Sequence, residues 1–351
     1  MTTKAFGYAT HSATSKLAPF HFERRGLRPD DVMLEILYCG VCHSDLHQAR
    51  DNWKNSIYPM VPGHEIIGRV VRFGEDVTRF NMGDFAGVGC MVHSCLTCDA
   101  CEADLEQYCR CGATFTYNAI DPRDGQPTYG GYSDTIVVSE RFVVKVPKGL
   151  DLKGAAPLLC AGITTWSPLR HWKIGKGGKV AVTGLGGLGH MAIKLAKALG
   201  AEVSLFTRSP GKAEDARRLG ADAIILSTDA SQMEAVKGKF DLIIDTVPYA
   251  HDLNRYVATL ATSGALALVG YLGPLDPALD TIPLIFGRKS IGGSLIGGMA
   301  ETQELFDFCG EHGIVSDVEI IRMSEINEAY ERLLKSDVKY RFVIDMATLR
   351  E

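Results

Sequence analysis

Apolar positions up to residue 152 come in short runs broken by turn residues. The run Val32-Met33-Leu34-Glu35-Ile36-Leu37-Tyr38 predicts a strand over 30–41 that ends at Cys39-Gly40. Pro59, Pro62 and Gly63 mark a loop, after which Ile66 to Val71 reads as a strand; Gly83-Asp84 marks another turn, with a strand over Phe85 to Met91. From residue 153 the pattern changes. Buried-type runs at Lys179–Thr183, Ala201–Phe206, Ala223–Leu226, Asp241–Asp245, Ala265–Val269 and Ser290–Leu295 predict strands, with helical segments between the earlier ones, such as His190 to Leu199. Such alternation predicts a doubly wound parallel sheet. Gly297-Gly298-Met299-Ala300 suggests a hinge, followed by helical segments over Glu301–His312 and Ser324–Leu334 and a last strand over Phe342–Met346.

At 351 residues the chain is long for one core, which predicts two domains. A formal net charge of −5 offers no general attraction to nucleic acid or to an anionic membrane. The N-terminus lacks a basic start followed by an apolar run, so no signal peptide is expected, and no stretch reaches the ~20 apolar residues of a membrane span. The expected location is cytoplasmic.

Of ten cysteines, four fall in Cys95-x2-Cys98-x2-Cys101-x7-Cys109. Short spacings let successive thiolates converge on one tetrahedral zinc; four of them leave no position for water, so the expected role is structural. Two disulfides or an iron–sulfur cluster are the alternatives, and Cys111 could compete as fourth ligand, Cys109 being preferred. Cys42-His43-Ser44-Asp45-Leu46-His47 places a thiol, two imidazoles, a hydroxyl and a carboxylate in one turn. Gly63-His64-Glu65 and Cys160 add the remaining ligand types for an open zinc site, whose three protein ligands leave one position exchangeable.

Gly184-Leu185-Gly186-Gly187-Leu188-Gly189 lies between a predicted strand and a predicted helix, the context that makes Gly-x-Gly-x-x-Gly a dinucleotide-binding loop. Gly184 would make the tight turn, Gly186 admit the pyrophosphate, and Gly189 allow close helix–strand packing. At the end of the second strand, where an acidic residue would select NAD, the chain reads Thr207-Arg208-Ser209-Pro210-Gly211-Lys212. Two hydroxyls and two cations at Thr207, Arg208, Ser209 and Lys212 predict NADP(H).

Cys42, Gly63-His64-Glu65 and the four-cysteine segment together resemble the zinc-containing medium-chain alcohol dehydrogenases. The stretches Cys39–His47 and Tyr340-Arg341-Phe342-Val343-Ile344-Asp345 resemble their cinnamyl alcohol dehydrogenase branch and its bacterial relatives. The resemblance spans nearly the whole chain. It implies an α/β fold in which a Rossmann cofactor domain (153–295) is inserted in a mostly β, GroES-like catalytic domain (1–152 and 296–351), with the active site in the cleft between them.

The resemblance further implies two zinc ions per subunit: a catalytic one on Cys42, His64 and Cys160, with Glu65 as alternate ligand, and a structural one on Cys95, Cys98, Cys101 and Cys109. It places Asp45 against the far nitrogen of His64, and Ser44 and His47 in a relay carrying the alcohol proton to solvent. Thr164 would stand beside the nicotinamide and Arg341 near the cofactor phosphates. His43 replaces an arginine common at the pyrophosphate in relatives. The expected activity is NADP-dependent interconversion of primary alcohols and aldehydes, aromatic or medium aliphatic, with Trp53, Met91, Leu272 and Leu295 as candidate pocket residues; the expected assembly is a homodimer, with a tetramer as the alternative. A polyol or sugar dehydrogenase and a non-catalytic NADPH-binding regulator are the alternatives.

Overall fold

The computed structural model describes residues 2–351, and the chain divides into two compact units, Met1–Cys160 with Gly297–Glu351, and Ala161–Ile296. The first unit opens with a hairpin of β1 (Thr3–Ala9) and β2 (Ala18–Arg24). The long strand β3 (Asp31–Val41) follows, then helix α1 (His43–Ala49), β4 (Ile66–Phe73), β5 (Phe85–Val88) and β6 (Met91–His93). After the short helix α2 (Asp99–Glu102) come β7 (Thr114–Phe115), β8 (Thr135–Ser139), β9 (Val144–Lys145) and α3 (Leu152–Ala155).

Two local outcomes differ from the expected elements. The cysteine turn is the start of a helix, because Asp45 at its third position accepts the Cys42 amide in a capping box. His43 and His47, four residues apart, therefore share a face, with ring centroids 6.2 Å apart. The strand expected over Phe85–Met91 is broken at Gly89-Cys90: β5 pairs with β4, whereas β6 pairs with β7 in a separate two-stranded sheet. A side chain at residue 89 would lie 3.1 Å from the Leu159 carbonyl, tighter than ordinary van der Waals contact, so glycine suits the bend.

In the second unit, α4 (Ala161–His171) leads into β10 (Lys179–Thr183), α5 (Gly187–Ala198), β11 (Glu202–Thr207), α6 (Ala213–Leu219), β12 (Ala223–Leu226), α7 (Ala230–Ala235), β13 (Phe240–Asp245), α8 (Asn254–Thr259), β14 (Leu260–Leu268), α9 (Ile282–Gly287) and β15 (Ser290–Gly293). Its six strands lie in the order β12-β11-β10-β13-β14-β15, all parallel. This is the doubly wound order of a dinucleotide-binding domain, with its switch point between β10 and β13. Strands buried on both faces explain the near-continuous apolar runs of the sequence. Phe206, Phe240, Ile243, Leu260 and Leu266 centre a core packed on one side of the sheet.

The chain then returns to the first unit through α10 (Met299–His312), β16 (Val318–Arg322), α11 (Ile326–Leu334) and β17 (Arg341–Asp345). β17 joins β3 antiparallel, in the order β16-β17-β3-β4-β5-β9, with β8 also on β3. The glycines expected as a hinge have another role at Gly298. This residue caps α10, and a side chain there would meet the Asp104 carbonyl at 1.8 Å, while Glu106 accepts the Met299 amide at 3.0 Å. Close packing requires glycine at that position.

Candidate active site and metal centres

The β3–α1 junction puts Cys42 at the helix cap, and Asp45 one turn on is wholly buried. Asp45 accepts from the Cys42 amide at 2.8 Å, the Gly63 amide at 3.0 Å, the Tyr132 hydroxyl at 3.3 Å and His64 Nδ1 at 2.9 Å. A carboxylate only accepts, so the bond to Nδ1 fixes the proton there and leaves the Nε2 lone pair for a metal. Cys42, His64, Glu65 and Cys160 are all buried, and their ligand atoms lie within 4.8 Å of one another. The Cys42 and Cys160 sulphurs are 3.9 Å apart. Two sulphurs at ~2.3 Å from one tetrahedral zinc stand about 3.8 Å apart, so the donor set fits zinc. The contact between the two sulphurs holds the Cys42 thiol well below its usual range and Cys160 well above it.

Arg341 opens β17. The antiparallel register Phe342–Val41 carries it to the metal group, where it is buried and donates to Glu65 Oε1 at 2.7 Å. The guanidinium thus has a carboxylate partner within its own unit. Burial pushes the Glu65 carboxyl up to about 7, against the pull of Arg341. Glu65 Oε2 has no hydrogen-bond partner, and a side chain at Gly40 would come within 1.9 Å of it.

Ser44 and His47 stand on α1, both partly exposed, and His47 Nδ1 is 3.0 Å from Asn52 Oδ1. His43 Nε2 lies 3.2 Å from the Leu333 carbonyl. Trp53 is exposed, its ring 5.9 Å from that of His47, and Met91 is buried. Tyr132, Tyr117 and Cys90 carried no sequence signal as site residues. Tyr132 reaches Asp45 from 87 positions away, the Tyr117 ring stacks at 5.8 Å on His64, and the Cys90 sulphur lies 3.7 Å from the Leu159 carbonyl. Only a cysteine at a glycine-flanked bend could have drawn attention to Cys90.

Cys95, Cys98, Cys101 and Cys109 form the second ligand group. Sulphur separations of 3.9 Å for Cys95–Cys101, 3.6 Å for Cys98–Cys101 and 4.0 Å for Cys98–Cys109 again fit tetrahedral zinc. None of the ten cysteines is in a disulfide.

In the second unit, Gly184 turns with φ +85°, Gly186 caps α5 with open space around it, and a side chain at Gly189 would meet the Gly184 carbonyl at 2.1 Å. Gly187, Leu188 and Gly189 form the first turn of α5, whose amides face any group placed beside Leu185 and Gly186. Lys212 Nζ donates to the Leu185 carbonyl at 3.0 Å, tying the segment after β11 to this loop. The Ser209 amide donates to Thr207 Oγ1 at 3.1 Å, and exposed Arg208 donates to the Tyr249 hydroxyl at 2.6 Å. These groups fit a phosphate-bearing dinucleotide. Thr164 is buried on α4, Leu272 belongs to the core, and Leu295 is exposed.

Two family models match the chain. Residues 28–148 match the alcohol dehydrogenase GroES-like domain, and residues 187–311 match the zinc-binding dehydrogenase family. The chain is 51% identical to the aldehyde reductase YahK of Escherichia coli (strain K12), over 100% of both chains. It is 52% identical to the NADP-dependent alcohol dehydrogenase C 1 of Mycolicibacterium smegmatis (strain ATCC 700084 / mc(2)155), over 98% of both. A solved structure of CAD from Helicobacter pylori, complexed with NADP(H), superposes with a TM-score of 0.91 at 44% identity over 99% of both chains. The chain belongs to the zinc-containing medium-chain alcohol dehydrogenases, in the branch of the cinnamyl alcohol dehydrogenases. No helix among the described residues is long and apolar enough to cross a membrane.

Proposed function

We propose that this protein is a zinc- and NADP(H)-dependent alcohol dehydrogenase that interconverts primary alcohols and aldehydes, acting mainly as an aldehyde reductase. The carrying observation is the buried Cys42–His64–Cys160 group with Asp45 on the far side of the imidazole. Three ligands leave one position open to a substrate oxygen. Bound in these sites, zinc supplies Lewis acidity toward that oxygen and NADPH supplies the hydride.

Cys42, His64 and Cys160 hold the metal, and Asp45 orients His64. Glu65, fixed by Arg341, stands as alternate ligand. Ser44 passes the proton of the substrate hydroxyl and His47 exchanges it with solvent. Cys95, Cys98, Cys101 and Cys109 hold a structural zinc. The loop Gly184–Gly189 takes the pyrophosphate, with Thr164 and His43 as further cofactor contacts. Arg208 and Lys212, with Thr207 and Ser209, take the 2′-phosphate; their cations and hydroxyls support NADP(H) over NAD(H). The bunching of cysteines as metal ligands rather than disulfides supports a reducing, cytoplasmic location. The substrate class is aromatic or medium aliphatic aldehydes. Cys160 as third ligand, where polyol dehydrogenases often carry a carboxylate, disfavours that alternative.

The test follows NADPH and NADH oxidation with an aldehyde panel, before and after zinc chelation. Zinc-dependent turnover favouring NADPH is expected, with Arg208→Ala raising the KM for NADPH about tenfold and leaving that for NADH nearly unchanged. Turnover that survives loss of the catalytic zinc would overturn the mechanism; equal efficiency with NADH would overturn the cofactor assignment.

A further inference from the structure

In the six-stranded sheet, β11 and β13 flank β10, and the Gly184–Gly189 loop leaves the C-terminal end of β10. One side-chain contact runs across that end. Arg208 follows β11 and Tyr249 follows β13. The Arg208 guanidinium donates to the Tyr249 hydroxyl at 2.6 Å and lies 5.6 Å from the centre of its ring. Both side chains are exposed, Tyr249 at 48%. Among the described residues no carboxylate forms an ion pair with Arg208, so its charge is held in place without being neutralised. The backbone that carries Tyr249 is braced against β10. Asp245 accepts from the Thr183 hydroxyl at 2.6 Å and the Val247 amide at 3.2 Å, and the Thr246 hydroxyl donates to the Thr183 carbonyl at 2.6 Å. His251, facing Asp245, has its Nδ1 2.8 Å from the Tyr249 carbonyl.

We propose that Tyr249 is a positioning residue that sets the selectivity for a 2′-phosphorylated adenosine, by holding the Arg208 guanidinium at the end of β11 before the cofactor binds. A long exposed arginine gives up side-chain freedom when it meets a phosphate, and ordering it beforehand removes that cost from binding. The tyrosine hydroxyl takes one of the five guanidinium N–H donors and leaves the others for paired bonds to phosphate oxygens. The ring face adds a cation–π attraction. A carboxylate at residue 249 would hold the arginine as firmly but would cancel its charge and repel a phosphate; a neutral hydroxyl on an aromatic ring does neither. The signal was absent from the sequence, because 41 positions separate the two residues and only the parallel order β11-β10-β13 brings their loops together.

This inference rests on the reading that Arg208 takes the 2′-phosphate of NADP(H), and the test separates the two. Calorimetry measures the binding of adenosine 2′,5′-bisphosphate and of adenosine 5′-monophosphate to the zinc-loaded full chain. The wild type is expected to prefer the bisphosphate, and Arg208→Ala to lose most of that preference. Tyr249→Ala should weaken the bisphosphate by about three- to fivefold and leave the monophosphate unchanged. Tyr249→Phe keeps the ring and the packing but not the acceptor, and should fall between the wild type and Tyr249→Ala. In the Arg208→Ala background, Tyr249→Ala should change nothing further. A wild type without preference, or a preference that survives in Arg208→Ala, overturns the assignment of the 2′-phosphate site itself. Where the preference exists and depends on Arg208, three results overturn the positioning role alone: unchanged binding in both Tyr249 variants, equal weakening of the two nucleotides, or the same loss with and without Arg208.

Discussion

Asp45 accepts four hydrogen bonds, to two backbone amides, a tyrosine hydroxyl and the His64 imidazole. The resemblance implied histidine support, and the structure adds a helix cap on the same carboxylate. Asp45→Asn replaces an acceptor oxygen by a donor amide facing other donors. It should weaken zinc binding at Cys42–His64–Cys160 by about 10–100-fold, measured by chelator competition. The Glu65–Arg341 pair is buried on both sides, at 0% and 3% side-chain exposure. Arg341→Met strands the carboxylate and should cost about 3–5 kcal/mol in urea unfolding, while Arg341→Met with Glu65→Gln should recover part of that loss. Neither partner is readable from the other in sequence, since 276 positions separate them.

At the scale of elements, the capping box makes α1 a helix where the sequence suggested a turn. The Gly-rich loop, by contrast, was legible because strand, loop and helix are contiguous. Beyond it, His251 faces Asp245 at the end of β13, with Nε2 3.0 Å from Oδ2, in ion-pair range but out of line for a hydrogen bond. Burial draws the His251 pKa down, and the carboxylate facing it more than offsets this, so the net direction is upward. A group raised on folding stabilises fully below its unfolded value of about 6.5, and that contribution is lost as pH rises through the higher folded value. Stability should therefore fall by less than about 1 kcal/mol, after solvent screening, as pH rises from ~6 to ~8, and His251→Asn should flatten that slope in urea unfolding.

For the whole molecule, β15 is the last strand of the six-stranded sheet and leaves one edge unpaired within the chain. The preceding helix α9 exposes Ile282 at 61%, Ile285 at 75% and Phe286 at 89%. Exposed apolar side chains beside an open edge favour a second copy as their cover, and we propose a homodimer through this face, with a tetramer as the larger alternative. Light scattering after size exclusion is expected to give a dimer for the wild type and a monomer for Phe286→Asp with unchanged circular dichroism; a monomeric wild type would remove the proposal.

Local chemistry determined what the sequence could show by itself: closely spaced cysteines, a glycine loop framed by strand and helix, and apolar runs whose length marks buried parallel strands. Each depends on neighbours within a few residues, so spacing carries the geometry. Tertiary structure alone decided what joins distant segments. The register of β17 on β3 brought Arg341 to Glu65, the Gly89–Cys90 bend brought Cys90 to Leu159, and the fold carried Tyr132 to Asp45. Burial then decided their chemistry, because a charge or hydroxyl withdrawn from water must find its partner in whichever strand packs against it.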